Sequence, residues 1–252
     1  MIINLPKLIG HRGVKNLIPE NTIQSINKAI EFNLKWVEVD VKISKDLIPF
    51  LLHDDNLERT TSGNGNPINY RYSELCKLDA GSWFDRKYKN FYLPTLKEVL
   101  NLCSQKNIGI NIELKPNKGF EEENAVAVSD LIKKYKFDCQ YFFSSFDWFS
   151  IIKIRKLLPE SYVGILIDSI NQKNNITKIL NKCREHNFFS CGFNITIISD
   201  EIIKLCKNYG MLITVYSSQN IEKNEADKLW NLGVDSVFID NPTFYRNMLE
   251  KI

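Results

Sequence analysis

Glu38 and Asp40 are separated by a single valine in the short apolar segment WVEVDV. Successive side chains of a β-strand point to opposite faces, so both carboxylates would lie on one side of such a strand. Facing carboxylates repel, and burying them is costly unless a cation compensates. Glu113, in the segment INIEL, adds a third oxygen ligand with no cysteine nearby. This set predicts a hard divalent cation, Mg²⁺ or Ca²⁺ with Mn²⁺ as a further candidate; for Glu38 and Asp40 alone, a salt bridge to a lysine is the alternative.

Two of the three histidines, His11 and His53, also follow short apolar runs. Imidazole titrates near neutral pH, so the pair is suited to act as general base and general acid, although either one taken singly is more often structural. Arg12 and Lys115 add positive charge beside the carboxylates. A cation, an arginine and a lysine together predict a site for phosphate. The third histidine, His186, ends a polar helical segment and is predicted to lie outside this site.

The elements that would position these residues alternate between short β-rich runs and longer amphipathic runs. Such alternation is typical of βαβ units and a parallel sheet. Eight units in one chain favour a (β/α)8 TIM barrel over an open sheet, and we expect residues 1–252 to form a single catalytic barrel domain. No GxGxxG follows the first strand, which disfavours a dinucleotide fold. The predicted strands are KLIGH, WVEVDV, IGINIEL, YFFSSF, YVGILI, FFSCGFN, MLITVY and SVFID.

The carboxyl ends of the strands of such a barrel meet at one mouth, where active sites are built. Polar side chains stand at these ends along the whole chain, and we expect them to converge. They are His11, Arg12, Glu38, Asp40, His53, Asp54, Glu113, Lys115, Ser144, Ser145, Asn194, Tyr216 and Asp240.

Residues 54–94 interrupt the regular alternation, after a second extended piece, IPFLLH. A connection of this length greatly exceeds the usual ~2–6 residues and is therefore either functional or disordered. Its many aromatic residues argue against disorder. We expect an ordered insertion after the second strand, on the carboxyl-terminal face of the barrel.

The composition excludes several classes of protein. The 252 residues are 44% hydrophobic and 25% charged, and the net charge of +3 is spread along the chain, which disfavours nucleic-acid binding. The six cysteines form no CxxC pair, so we expect reduced thiols and no zinc site. No apolar run approaches the ~18 residues of a membrane span, and the amino terminus is too short for a signal peptide. We expect a cytoplasmic protein without stable membrane insertion; the oligomeric state stays open.

Eight short motifs, in this order, resemble the glycerophosphodiester phosphodiesterase family. Each is weak alone, but together they run through nearly the whole chain and form a specific signal. The resemblance implies a (β/α)8 barrel with an insertion after the second strand, in agreement with the alternation of elements. The motifs are HRG, PENT, VEVDV, HDDNLERTTSGNG, ELCKLDAGSWF, LPTLKEVL, IELK and GVDSVFIDNP.

Carried over residue by residue, the resemblance implies roles for seven side chains. His11 and His53 would be the acid/base pair, and Arg12 and Lys115 would contact phosphate. The metal ligands would be Glu38, Asp40 and Glu113. The end of the seventh strand departs from the family pattern. Relatives tend to have a Trp/Tyr-Thr-Val-Asn type of segment, whereas this chain has ITVY at 213–216, so the aromatic side chain at the mouth is expected to be lost or displaced.

The predicted reaction is hydrolysis of small glycerophosphodiesters, such as glycerophosphocholine or glycerophosphoethanolamine, to glycerol 3-phosphate and an alcohol. Two alternatives stay open. A lysophospholipase D-like enzyme would act on a lipid diester and would need an apolar lip, for which the aromatic insertion is a candidate. A catalytically silent barrel would only bind a ligand, but such a protein should have lost a ligand residue or a histidine, and none is missing.

Overall fold

A computed structural model describes residues 3–170 and 175–250, and within them eight parallel strands close into a barrel. The first strand, β1 (Leu8–Gly10), pairs with β2 (Trp36–Ile43) on one side and with the last strand on the other, which closes the ring. A short strand, β3 (Pro49–Leu51), pairs antiparallel with β2 outside the barrel. The predicted (β/α)8 fold is confirmed. The remaining strands are β4 (Gly109–Leu114), β5 (Tyr141–Ser145), β6 (Tyr162–Ile167), β7 (Ser190–Asn194), β8 (Leu212–Tyr216) and β9 (Ser236–Ile239).

A helix follows each barrel strand, as the alternation predicts, and capping residues mark where the helices begin. Thr22 accepts a hydrogen bond from the backbone N–H of Ser25 at the start of the first helix. Thr95 and Glu98 form a reciprocal capping box after Pro94. The helices are α1 (Ile23–Glu31), α2 (Tyr72–Leu75), α3 (Leu96–Lys106), α4 (Glu121–Lys134), α5 (Trp148–Leu157), α6 (Ile176–Glu185), α7 (Asp200–Asn208), α8 (Lys223–Leu232) and α9 (Arg246–Leu249).

The barrel strands are buried on both faces, and the two faces have different partners. Side chains such as Val37 and Val39 belong to the large core between the barrel and its helices. Residues at the alternate positions fill the interior, where Trp36 and Phe142 pack together towards the amino ends of the strands. Gly109 permits this packing, because a Cβ there would lie 2.1 Å from the Trp36 ring. The interior cluster comprises Ile3, Ile9, Trp36, Phe142 and Phe238.

The predicted insertion after the second strand is present and has an apolar cluster of its own. It contains α2 and two short 3-10 turns, Pro67–Asn69 and Arg86–Tyr88. The assignment of all 252 residues to a single catalytic domain, with this segment as its appendage, stays a prediction. The buried members of the cluster are Phe50, Leu52, Leu57, Leu75, Ala80 and Leu93.

Two expectations from composition have structural counterparts. Throughout the described ranges, no helix combines the length and apolar character needed to cross a membrane. All six cysteines are free thiols, and four of them are buried. His186 lies at the carboxyl-terminal end of α6, outside the residues that line the barrel mouth.

Candidate active site

The three predicted metal ligands meet at the barrel mouth. Asp40 on β2 lies in register with Glu113 on β4, and Glu38 precedes Asp40 on the same side of its strand. One carboxylate oxygen from each residue can be chosen so that all three lie within 4.8 Å of one another. All three residues are buried, and Oε1 of Glu38 has no hydrogen-bond partner among the described residues. Three clustered oxygen donors, one of them unpartnered, fit a hard divalent cation.

The electrostatics of this group are those of an acidic cluster that is partly neutralised. Burial and the neighbouring charges of Asp40 and Glu113 raise the pKa of Glu38 well above its ordinary value. Burial likewise raises the pKa of Glu113. Burial acts in the same sense on Asp40, but Arg12 and Lys115 outweigh it and hold the pKa of that carboxyl well below its usual range. Asp40 is therefore the carboxylate on which the two cations act most strongly.

Arg12 and Lys115 stand beside the carboxylates, as predicted. Nε of Arg12 is 3.2 Å from Asp40 Oδ2, and Nζ of Lys115 is 3.1 Å from Glu113 Oε1 and 3.5 Å from Asp40 Oδ1. The Arg12 guanidinium also donates to Glu20 at 2.7 Å. Both cationic side chains line the same cavity as Glu113. They therefore supply fixed positive charge where a phosphate could approach the acidic group.

The HRG and PENT motifs are locked together by two residues in the left-handed region of backbone space. Arg12 has φ 50° and Asn21 has φ 56°, values that non-glycine residues seldom adopt. The Asn21 N–H donates to the Arg12 carbonyl, and the Asn21 side chain both donates to Asp40 Oδ2 and accepts from the Asp40 N–H. The Arg12 N–H donates to Glu38. Strain of this kind concentrates at functional sites, where surrounding contacts hold it in place.

His11 is held by a carboxylate at the end of the last strand. Its Nδ1 lies 2.8 Å from Asp240 Oδ1, while its Nε2 points towards Glu38 at 3.9 Å. Lys15 lies 3.3 Å from the other oxygen of Asp240. Burial lowers the pKa of His11 to about 4, although the hydrogen bond to the Asp240 carboxylate acts in the opposite direction. The ring is therefore oriented by Asp240, with its second nitrogen directed to the acidic group.

His53 is also held by a carboxylate, that of the neighbouring residue Asp54. Its Nδ1 lies 2.6 Å from Asp54 Oδ1, and Arg59 of the insertion donates to both Asp54 and Glu20 at 2.8 Å. Because Glu20 also binds Arg12, this network joins the second histidine to the predicted phosphate-binding arginine. Burial lowers the pKa of His53 as well. Sequence reasoning missed Glu20 and Arg59 as contributors, although both lie in motifs that it quoted.

A cavity of about 220 Å³ opens over these groups. It brings together six of the seven predicted site residues, whereas Asp40 is buried behind the wall. Ser144 and Ser145, also expected at the mouth, instead donate to Asn111 and to the Leu114 carbonyl. The lining residues that sequence reasoning missed are Lys15, Asn111, Phe146, Leu166, Asp168, Ser217, Ser218 and Phe238.

For two of the missed residues the sequence contained a signal. Asp168 follows β6 directly, as a polar residue at a strand end, and Asn111 lies two residues before Glu113 on the same strand. For the seventh-strand aromatic, loss or displacement by a few positions was expected, and an aromatic side chain is present at the strand end, so only displacement remains. Tyr216, the last residue of β8, lines the cavity, and its ring packs against Phe146 with centroids 5.5 Å apart.

A larger cavity, of about 880 Å³, lies near the opposite ends of the strands. Its wall includes Trp36, Gly109, Tyr141 and Tyr162, at or near the starts of β2, β4, β5 and β6. None of the seven predicted site residues reaches it. Size therefore does not identify the functional site here, whereas the convergence of titratable groups does.

Comparisons with known proteins agree with this geometry. The model of the glycerophosphoryl diester phosphodiesterase family matches residues 11–243. A glycerophosphodiester phosphodiesterase of Caldanaerobacter subterraneus is 30% identical over 249 residues, covering 97% of this chain and 98% of that protein. One from Bacillus altitudinis is 31% identical over 245 residues, covering 94% of this chain and 96% of the relative.

Among solved structures, an Oleispira antarctica phosphodiesterase in complex with the product sn-glycerol-3-phosphate superimposes with a TM-score of 0.88. It is 33% identical in sequence, and the match covers 98% of each chain. Matches of this extent leave no large part of the barrel unaccounted for. The chain therefore belongs to the glycerophosphoryl diester phosphodiesterase family and is an enzyme of that class.

Proposed function

We propose that this enzyme hydrolyses small glycerophosphodiesters, such as glycerophosphocholine or glycerophosphoethanolamine, to glycerol 3-phosphate and the free alcohol. One observation carries the proposal: three buried carboxylates, two cations and two carboxylate-supported histidines surround one cavity. The solved relative that bound glycerol 3-phosphate is similar over nearly its whole length, which supports the same product here.

Glu38, Asp40 and Glu113 would hold one divalent cation, Mg²⁺ or Ca²⁺, with Mn²⁺ as a further candidate. When bound, such a cation supplies Lewis-acid polarisation of a phosphoryl oxygen and a template for the substrate. The cation would also offset the repulsion among the three side chains, because their charges are buried and adjacent. Asn21 keeps Asp40 in place from both sides by accepting and donating hydrogen bonds.

Arg12 and Lys115 would bind the phosphate oxygens and stabilise the negative charge that grows in the transition state. The side-chain contacts of Arg12 with Glu20 and Asp40 fix the guanidinium before substrate arrives. A charged group held in advance needs little reorganisation during the reaction. This arrangement favours phosphoryl chemistry over simple anion binding.

His11 would act as general base and His53 as general acid. His11 has Nδ1 on Asp240, so Nε2 is the nitrogen free to take a proton from the attacking hydroxyl. His53 has Nδ1 on Asp54, so its Nε2 would donate a proton to the departing alkoxide. With water as nucleophile, these two proton transfers would give glycerol 3-phosphate directly. With the glycerol 2-hydroxyl as nucleophile, they would release the alcohol and leave a cyclic phosphate, which water would open to glycerol 3-phosphate in a second step with a further pair of proton transfers.

A lipid diester is the second candidate substrate, and exposed rings favour it. Phe146 at the cavity is 40% exposed, Phe149 on α5 is 52% exposed, and Trp83 of the insertion is 37% exposed. Apolar side chains of this kind would suit a lysophospholipase D-like enzyme. A catalytically silent barrel is disfavoured, since no predicted metal ligand or histidine is missing.

The test is a direct comparison of glycerophosphocholine with lysophosphatidylcholine, each assayed with Mg²⁺, Ca²⁺ or Mn²⁺. We expect release of choline and glycerol 3-phosphate from the first substrate, with kcat/KM at least about 100-fold above that for the second. Preference for the lipid would transfer the proposal to the second candidate. No turnover of either, with a Glu113→Gln variant as the inactive control, would refute both.

A further inference from the structure

The wall of the cavity opposite the acidic group contains a carboxylate with an unusual environment. Asp168 follows β6, and its Oδ1 accepts from Asn194 Nδ2 at 2.9 Å and from the Tyr216 hydroxyl at 3.2 Å. Both donors are neutral, and within residues 3–170 and 175–250 Asp168 forms no ion pair. Asp240, Asp40 and Glu113, by contrast, each lie close to a lysine or an arginine. Asp168 therefore offers a negative charge that this part of the protein does not neutralise.

One aromatic residue contacts this carboxylate, and a second ring packs against the first. The Tyr216 and Phe146 rings meet nearly at right angles, at 86°, with centroids 5.5 Å apart. The Tyr216 hydroxyl is fixed by Asp168 and by the Ile167 carbonyl, which it reaches at 3.0 Å. Both rings line the cavity. A corner of two rings next to a carboxylate is an arrangement that attracts an organic cation through the ring faces and through charge.

The same corner lies next to the predicted phosphate site. Nζ of Lys115 is 5.5 Å from the centroid of the Phe146 ring. Phe146 is thus near both the lysine that would bind phosphate and the Tyr216 ring, whose hydroxyl contacts Asp168. A ligand with a phosphate near Lys115 and a positive group near Asp168 would match the charges of both ends of the cavity.

We propose that Asp168, Phe146 and Tyr216 form a subsite for a cationic alcohol group of the diester, an ammonium or quaternary ammonium joined to the phosphate by a short carbon chain. The proposal rests on the proposed function, which supplies the phosphodiester, and it specifies which alcohol the enzyme prefers. Asn194 acts as a positioning residue, because it holds the carboxylate of Asp168 in the cavity.

The experiment compares glycerophosphocholine with its neutral isostere, the 3,3-dimethylbutyl ester of glycerol phosphate, in which carbon replaces the charged nitrogen. The native enzyme should hydrolyse the choline ester with kcat/KM about tenfold higher, a typical size for a partly desolvated cation on an aromatic site. Asp168→Asn should lower kcat/KM about tenfold for the choline ester and less than about twofold for the isostere. Asparagine preserves the hydrogen-bond acceptor, so the contacts with Asn194 and with the Tyr216 hydroxyl can be kept.

Phe146→Leu is the second variant, since it keeps apolar volume and removes the ring. It should reduce the preference for the charged substrate about threefold, whereas Phe149→Leu, another exposed ring that lies outside the cavity lining, should leave it unchanged. Equal kcat/KM for the two esters with the native enzyme would overturn the subsite. An equal loss on both esters in Asp168→Asn would do the same, because Asp168 would then contact the shared glycerol phosphate. Failure to hydrolyse either ester would instead refute the proposed function.

Discussion

The two ends of the barrel interior are built from the same strands but have opposite chemistry. Towards the amino ends, Trp36 and Phe142 pack with ring centroids 5.8 Å apart in an apolar cluster. Towards the carboxyl ends, Glu38 and Asp40 are buried close to each other, and the Arg12 guanidinium lies beside Asp40. On β2 the change from one chemistry to the other takes only two residues, from Trp36 to Glu38.

The difference shows how the fold tolerates its own active site. Buried aromatic residues contribute favourably to folding, at about 25 cal/mol for each Å² removed from water. Buried carboxylates oppose folding unless a cation compensates. The apolar amino end therefore stabilises the barrel, whereas the buried carboxylates at the carboxyl end destabilise it. Variants at the amino end should mainly change stability, and variants at the carboxyl end should mainly change the reaction rate.

Removal of the divalent cation should have the largest effect on the carboxyl end. Chelation with EDTA should abolish turnover of glycerophosphocholine, and Mg²⁺, Ca²⁺ or Mn²⁺ should restore it, because the negative charge of Glu38, Asp40 and Glu113 would otherwise be only partly offset by Arg12 and Lys115. Activity measured before chelation, after it and after each metal is added back provides the test. Full turnover in a rigorously metal-free preparation would show that the reaction does not require a metal.

The two histidines should give the next largest effect. His11→Ala and His53→Ala should each lower kcat by ~10²–10⁴, the usual worth of a general acid or base, with folding nearly unchanged. A p-nitrophenyl phosphodiester has a good leaving group and hardly needs a proton. On that substrate His53→Ala should recover and His11→Ala should not. Equal inactivity of both on it would show that the assignment of base and acid is wrong.

The sequence predicted the side of the cavity with the carboxylates and histidines better than the opposite wall, which contains Phe146 and Asp168. Glu38, Asp40, Glu113 and the histidines have titratable side chains and lie at or near strand ends, so residue type and period sufficed to find them. The barrel and the insertion after the second strand were also predictable, because alternating elements and one long connection leave a plain pattern.

The opposite wall was harder for a physical reason. Tyr216 was expected at the mouth because it ends a strand, but Phe146 is an aromatic residue of the kind that usually fills a core, and only the barrel closure places it at the cavity. The support of His11 by Asp240 joins residues 229 positions apart, which no local pattern reveals. Contacts that depend on closure of the ring are therefore the part that sequence reasoning could not supply.

At the amino end, Phe142→Ala should affect stability and leave the chemistry intact. The ring is 2% exposed and packs against Trp36 and Phe189, so its loss should lower the free energy of unfolding by about 3–5 kcal/mol. Below the melting temperature, kcat should stay within about twofold of the native value. Phe149→Ala, at a half-exposed ring, is the matched control and should change stability by less than about 0.5 kcal/mol. A large loss of kcat with an unchanged melt would contradict the separation of the two ends.

The smallest expected effect is on stability at the carboxyl end, where a substitution should raise the free energy of unfolding, whereas Phe142→Ala should lower it. Burial and the charges of Asp40 and Glu113 raise the pKa of Glu38, so the folded state holds its proton more tightly than the unfolded state does. The stability linked to that proton is complete below the ordinary carboxyl range and is lost as the pH rises through the raised value. In EDTA, Glu38→Gln should therefore be more stable than the native protein at pH 8 and about equally stable at pH 5.

The expected difference at pH 8 is a higher free energy of unfolding for Glu38→Gln than for the native protein. Glutamine can still accept the hydrogen bond from the Arg12 N–H, so the comparison isolates the charge. Urea unfolding at both pH values measures it, with Glu31→Gln on the exposed end of α1 as the control that should show no such difference. Added metal should reverse the order, because only the native protein retains all three ligands and gains stability from binding. If Glu38→Gln is the less stable protein in EDTA at pH 8, the buried carboxylates do not destabilise the fold, and the two ends of the barrel do not differ in their contribution to stability.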